Sequence, residues 1–297
     1  MTMVLRSLIS LVLVLVATLL PAQSDVLAEV LRKYQGGDLA GAREAVDRAV
    51  RSEMRAETPG AWVLRGYIFN DVYDGRHVGA EADNVRQEAL ESLYTCMAFD
   101  QPGTYRDNAL QAYDFLVRSC FNEAARALSA MDTDRARKLF ADYKAAQLRS
   151  DPNANTRDKE IEFGNALGTV YTKQFNAFRT DTVLFDQAVA AYVRVLELDA
   201  NNYGANYNLA TLHYNRGVYN IQRISADVDI PTMAMIQEAS KEYFQKALPY
   251  MLKAHEMNPS RRETLLGLEG IYYSLQDQMN ADKFRQLFEL MPPSEER

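Results

Sequence analysis

The residues of this 297-residue chain whose types first suggest metal or nucleophile chemistry are three histidines and two cysteines. His77, His213 and His255 stand far apart, and none has a histidine or cysteine at the spacing a zinc site needs. They read as structural or solvated. Cys96 and Cys120 have no neighbouring base in sequence that would generate a thiolate. On successive antiparallel helices they fall roughly 20 Å apart, too far for a bridge, so two buried free thiols are expected. Asp151-Pro-Asn153-Ala-Asn155 through Glu162 places oxygens at the first, third, fifth and twelfth positions of a calcium loop. Thr156 stands where that loop needs glycine, and Pro152 is out of place. The same residues read as a turn whose acids open the following helix. No glycine-rich phosphate loop, Gly-x-Ser-x-Gly elbow, zinc-protease helix or Cys-x-x-Cys occurs. The expectation is a chain that is not an enzyme and carries no cofactor or metal.

Composition sets what kind of scaffold carries these residues. Glycine and proline together number 23, against a usual share of roughly 12% of residues, so the many tight turns of an all-β fold are hard to supply. A 47% hydrophobic, 25% charged chain buries a core and is helical by default. The formal charge of −7 and the interspersion of bases with acids give no footprint for nucleic acid or anionic lipid.

The first residues read as an address. Arg6 precedes the uncharged run Leu8 to Leu20, and Pro21-Ala22-Gln23 follows. This is the layout of a secretory signal peptide over 1–22, and the run is shorter than the ~20 apolar residues of a membrane span. Leu20 stands where cleavage prefers a small residue, so an uncleaved anchor remains the alternative. The mature chain is expected in an exported compartment, the bacterial periplasm, with no membrane span after cleavage.

From residue 23 onward a repeat organises the chain. The intervals among Ala188, Tyr192, Ala200, Leu209 and His213 recur among Ala247, Met251, Pro259, Leu268 and Tyr272, with Ala210 and Gly217 completing the first set, Ala254 the second, and Ala281 and Pro293 following. Related segments are Trp62-Val-Leu-Arg-Gly66-Tyr-Ile-Phe69, Leu167-Gly168-Thr-Val-Tyr171 and Gly37-Asp-Leu-Ala-Gly-Ala42. These residues resemble the tetratricopeptide repeat, in which paired antiparallel helices stack through small residues at their crossings. The resemblance implies an all-α, right-handed α-solenoid over 23–297, with hairpins near 24–53, 59–100, 103–149, 158–199, 202–257 and 260–291. Small residues at crossings and large apolar ones at i, i+3, i+4 give the same architecture on physical grounds, because a lone hairpin leaves an apolar face exposed. The second-helix alanine arrives late in several hairpins, most of all at Ala247. The insert from Tyr219 to Glu242 is therefore expected to form two lengthened helices with a turn at Asp227-Val-Asp-Ile-Pro231. That protrusion is either a contact element or plain length drift. Pro249 is expected to kink the second of these helices, and Asp74-Gly75 to stop an earlier one.

In such arrays the first helices line a groove, and the resemblance carries ligand-facing positions onto Tyr67, Asn70, Asp71, Asn165, Thr169, Lys173, Tyr207, Thr211, Tyr214, Asn215 and Tyr273. Tyrosine and asparagine suit an extended peptide or partner loop, but tyrosines at helical spacing are equally inter-repeat packing. The basic clamp that holds acidic chain ends in some members is missing: Asn208 fits it, whereas Glu263 and Gly267 stand where bases belong. His213 replaces the usual tyrosine of the repeat and reads as a packed histidine. The expected role is an exported, non-catalytic scaffold for a protein or peptide partner, in cell-envelope assembly or transport. The alternative is an accessory protein that binds a small ligand or glycan in a closed pocket of stacked aromatics.

Overall fold

The computed structural model describes residues 25–51, 58–73 and 79–291. The segment 1–22 read as a signal peptide, His77, Asp74-Gly75 and Pro293 lie outside the described residues. Within them the chain is all-α, with twelve helices and no strand. In chain order they are α1 (Asp25–Gln35), α2 (Leu39–Arg51), α3 (Pro59–Tyr73), α4 (Ala80–Phe99), α5 (Arg106–Ser129), α6 (Thr133–Ser150), α7 (Arg157–Ala177), α8 (Thr182–Leu198), α9 (Tyr203–Gln222), α10 (Ile230–Met257), α11 (Arg262–Ser274) and α12 (Gln278–Glu289).

Three of the helix pairs share one turn. After α1, α5 and α11 a residue takes the left-handed conformation, Gly37 (φ 79°), Met131 (φ 62°) and Gln276 (φ 62°). An aspartate follows each time. The backbone N–H groups of Asp38, Asp132 and Asp277 reach five residues back, to the carbonyls of Lys33, Ala127 and Tyr272, closing the first helix as a left-handed C-cap does. The same three carboxylates then accept from the N–H groups of Gly41, Arg135 and Asn280 and so open the next helix. One dipeptide thus ends a helix and starts its partner.

The other starts use the same chemistry. Asp181, Asn202 and Asp229 cap α8, α9 and α10 with their side-chain oxygens. The insert between α9 and α10 forms two lengthened helices separated by residues 223–229, with Pro231 in the first turn of α10. α10 continues as one helix through Pro249.

The helices group into two compact units. The first comprises α1–α4 with residues up to Ala124 of α5 and from Arg137 of α6. The second comprises the turn between those two helices and all of α7–α12. In the first unit the buried guanidinium of Arg65 is anchored to Asp47 (2.7 Å), Glu88 and Ser92, and that of Arg86 to Asp83 (2.9 Å) and Tyr73, with Arg86 Nε buried without a hydrogen-bond partner. Cys96 and Cys120 are buried and free. Burial pushes the Cys96 thiol up to about 12 and the Cys120 thiol to about 11, so neither supplies a thiolate near neutral pH.

In the second unit α7 pairs with α8, α9 with α10 and α11 with α12. Each hairpin's second helix lies on the next hairpin's first helix, and α9 also touches α7 and α11. The core between α9 and α12 is built from Ala210, Ala247, Met251, Leu265, Leu268, Ile271 and Phe284, and the next layer from Tyr171, Phe175, Phe185, Ala188 and Leu212. His213 belongs to the packing. It lies edge-on to Phe185 at 5.6 Å and stacked on Tyr250 at 6.4 Å, and burial, with a smaller push from Lys246, holds its pKa down at about 4. Its imidazole is neutral at physiological pH.

Candidate functional site

A cleft of about 330 Å³ opens in the second unit between α7 and α9, and it gathers four residues expected from sequence: Thr169, Lys173, Thr211 and Asn215. It also draws in residues not expected there: Thr172, Asn176, Tyr192, Asn208 and Leu212. Helical spacing accounts for most of them. Positions 169, 172, 173 and 176 form one stripe of α7, and 208, 211, 212 and 215 one stripe of α9.

Tyr192 comes from α8, behind the wall, and reaches the cleft because Gly168 has no side chain. A Cβ at Gly168 would lie 2.6 Å from the Tyr192 ring. With the ring 1% exposed, the Tyr192 hydroxyl sits at the floor, 3.3 Å from the Thr169 hydroxyl and within reach of Thr172 and Asn208. Burial raises its pKa, so the group stays a neutral phenol. Gly168 was the sequence signal for this; without knowing which side chain crosses it, the floor residue was not legible.

The cleft is a surface of neutral donors and acceptors with one cation. Thr169 and Thr211 turn their hydroxyls back onto the Asn165 and Tyr207 carbonyls, leaving their oxygens as acceptors. Asn176 and Asn215 are exposed, Asn208 is half-buried, and Lys173 is exposed with no carboxylate partner among the described residues. Paired primary amides and hydroxyls match the alternating N–H and C=O of an extended peptide backbone. No acid, base or nucleophile is assembled here, and no group of three potential metal ligands occurs among the described residues.

The remaining expected residues lie elsewhere. Asn165 donates to the Asn202 cap at 3.2 Å, and its Oδ1 is buried without a hydrogen-bond partner. Tyr207 stacks on Tyr203 at 6.0 Å, while Tyr214 packs on Phe244 at 5.6 Å and fills the space over Gly270. Both are partly buried and pack against the core between α9 and α12. Tyr273 is 65% exposed, in a separate cleft of about 500 Å³ with Val218, Ile221 and Phe244. Tyr67, Asn70 and Asp71 belong to α3 in the first unit, where Asp71 accepts from the Tyr34 hydroxyl at 2.6 Å and borders a cleft with Arg43, Glu44 and Asp47. Tyr67 is largely buried and its hydroxyl pKa is raised by that burial.

The calcium-like segment spends its oxygens on its own chain. Asp151 accepts from the Asn153 N–H and Asn155 from the Arg157 N–H, both as turn contacts, and Glu162 pairs with Lys159. No helix among the described residues is long and apolar enough to cross a membrane.

No protein-family model and no curated protein matches the chain. Among solved structures, it is similar to a monomeric mutant of IFIT1 solved with m7Gppp-AAAA (13% identity, TM-score 0.40), over 90% of this chain and 59% of that one. A second similar structure is PilW, titled a widely conserved type IV pilus biogenesis factor (17% identity, TM-score 0.34), over 92% of this chain and 97% of that one. The chain therefore spans about three fifths of the IFIT1 structure's length. Likenesses of this strength carry no inference for the cleft.

Proposed function

We propose that this chain is an exported, non-catalytic scaffold that holds an extended segment of a protein partner in the cleft between α7 and α9, in the service of envelope assembly or transport. The observation that carries the reading is the convergence of amides and hydroxyls from Thr169, Thr172, Asn176, Asn208 and Asn215 around one buried phenol, beside a single cation. Such a lining meets a peptide backbone along its length and asks little of its side chains. A glycan or flat small ligand would be served by exposed aromatic faces. The cleft has one aromatic, Tyr192, whose ring is buried and whose hydroxyl alone is offered.

The test is a selection of displayed random-sequence peptides on the purified protein, followed by affinity measurement with the triple variant Lys173→Ala, Asn208→Ala, Asn215→Ala. These side chains lie at the cleft wall, outside the core, so circular dichroism and melting should be unchanged while binding falls by about tenfold or more. Recovery of no peptide, or equal affinity of the variant, would remove the cleft from consideration. Export is tested separately by the N-terminal sequence of the protein from the native envelope, expected to begin at Gln23.

A further inference from the structure

Three arginines surround one tyrosine at the far end of this cleft. Arg179 stands in the turn after α7, Arg216 on α9, and Arg223 ends α9. Their guanidinium carbons lie 5.5, 5.8 and 5.6 Å from the centre of the Tyr219 ring. None of the three has a carboxylate within ion-pair distance among the described residues. In a chain with 40 acids and 33 bases, three adjacent guanidiniums without an acid are out of keeping with the interspersed charge elsewhere.

Packing accounts for Arg216 alone. Its guanidinium lies 5.6 Å from the Phe175 ring and 5.9 Å from that of Phe185, Nη1 donates to the Arg179 carbonyl at 2.6 Å, and Nε is buried without a hydrogen-bond partner. Arg179 is half-exposed and Arg223 exposed. A cation at a helix C-terminus is favoured by the helix dipole, which explains neither their convergence on a single ring nor the missing counter-charge.

Position supplies the link to the cleft. Tyr219 follows Asn215 by four residues on the same stripe of α9, and the turn that carries Arg179 follows Asn176 at the end of α7 and is tied to α9 by the bond from Arg216 Nη1 to the Arg179 carbonyl. The cluster therefore continues the cleft past its last two asparagines. Resting on the peptide reading of that cleft, we propose that Arg179, Arg216 and Arg223 form a carboxylate-recognition site for an aspartate or glutamate side chain of the bound segment. The guanidinium fork matches a carboxylate in two parallel hydrogen bonds, and stacking on Tyr219 holds the donors in place before the ligand arrives. The clamp for acidic chain ends missing around Glu263 and Gly267 is a different location, on α11.

Binding of fluorescein-labelled oligoglutamate and oligoglutamine is measured by anisotropy, alongside the peptides selected on the cleft, with wild type, Arg179→Gln and Arg223→Gln. The expected result is acidic residues enriched in the selected peptides, oligoglutamate bound more tightly than oligoglutamine, and about a tenfold loss for each variant with an unchanged melting temperature. Arg216 is left intact because its packing role would confound the result. Selected peptides that lack acids and bind both variants as well as wild type would overturn the carboxylate site while leaving the cleft reading standing. Failure of every peptide to bind would overturn both. A short RNA oligonucleotide or tripolyphosphate bound in place of oligoglutamate, with the same dependence on Arg179 and Arg223, would reassign the cluster to phosphate and also overturn the proposal.

Discussion

Substituting Gly168 by alanine tests both the packing of the second unit and the origin of the cleft floor. The new Cβ would lie 2.6, 2.7 and 2.9 Å from three atoms of the Tyr192 ring, about 1 Å inside ordinary carbon contact distance. The ring is 1% exposed and packed with Val195, Ala205 and Leu209, so it has no free direction to swing. Overpacking of this kind costs about 1–3 kcal/mol, and alanine returns about 1 kcal/mol in helix propensity. The net expectation is a loss of up to about 2 kcal/mol, towards the upper end because the Tyr192 ring cannot move aside. Gly204→Ala is the control: its Cβ would meet nothing closer than 3.6 Å, so it should be neutral or stabilising by up to about 1 kcal/mol. Gly267→Ala falls between them, because the atom in its way is the end of the flexible Met251 side chain, 2.5 Å off. Urea unfolding followed by helical circular dichroism reads all three. A Gly168→Ala midpoint at or above wild type, with Gly204→Ala behaving as expected, would refute the argument that Tyr192 is fixed beneath the cleft.

Lowering the pH from 7 should destabilise the protein through His213. Its folded pKa of about 4 lies below the unfolded value of 6.5, so the unfolded chain binds the proton first, and stability present above pH 6.5 drains away as pH falls towards 4, by about 3 kcal/mol in all. His213→Phe should flatten that part of a stability profile measured by urea titration. Cys96 and Cys120 should resist a thiol reagent in the folded protein and both react in denaturant, given thiol pKa values held up at about 12 and 11 by burial; rapid native labelling would contradict their placement. Gln276→Gly should raise the melting temperature by relieving the left-handed backbone at φ 62°, worth about 1 kcal/mol, and no gain would mean that the strain is already offset locally.

The helix pattern was legible because its signals are local. The turn read at Asp227-Val-Asp-Ile-Pro231 holds the Asp229 cap and the Pro231 of the following first turn, chemistry that acts within one turn. The lengthened helices around Asp227 to Pro231 followed from the late arrival of Ala247 in the repeat and from amphipathic spacing on both sides of the turn. Tyr207 and Tyr214 show where such reading stops. Their spacing on α9 suits a groove or a packing seam equally, and only the tertiary structure packs both against the core, Tyr214 through the arrival of Phe244 and Gly270 from α10 and α11. The turns after α5 and α11 were hidden for a different reason: Met131 and Gln276 do the work that Gly37 does openly, and the left-handed conformation is rare for side chains of that size.

By itself, the sequence determined an all-helical chain of paired helices without a visible catalytic constellation, since caps, periodicity and motif spacing are properties of neighbours along the chain. Tertiary structure decided which polar residues share a surface. Thr169, Lys173, Thr211 and Asn215 meet in one cleft, Tyr192 enters it from a third helix through the gap at Gly168, and Arg179, Arg216 and Arg223 converge on Tyr219. These juxtapositions join residues of three helices and a turn, and they depend on how closely the backbones approach, which is set by packing between helices and not by any spacing within one.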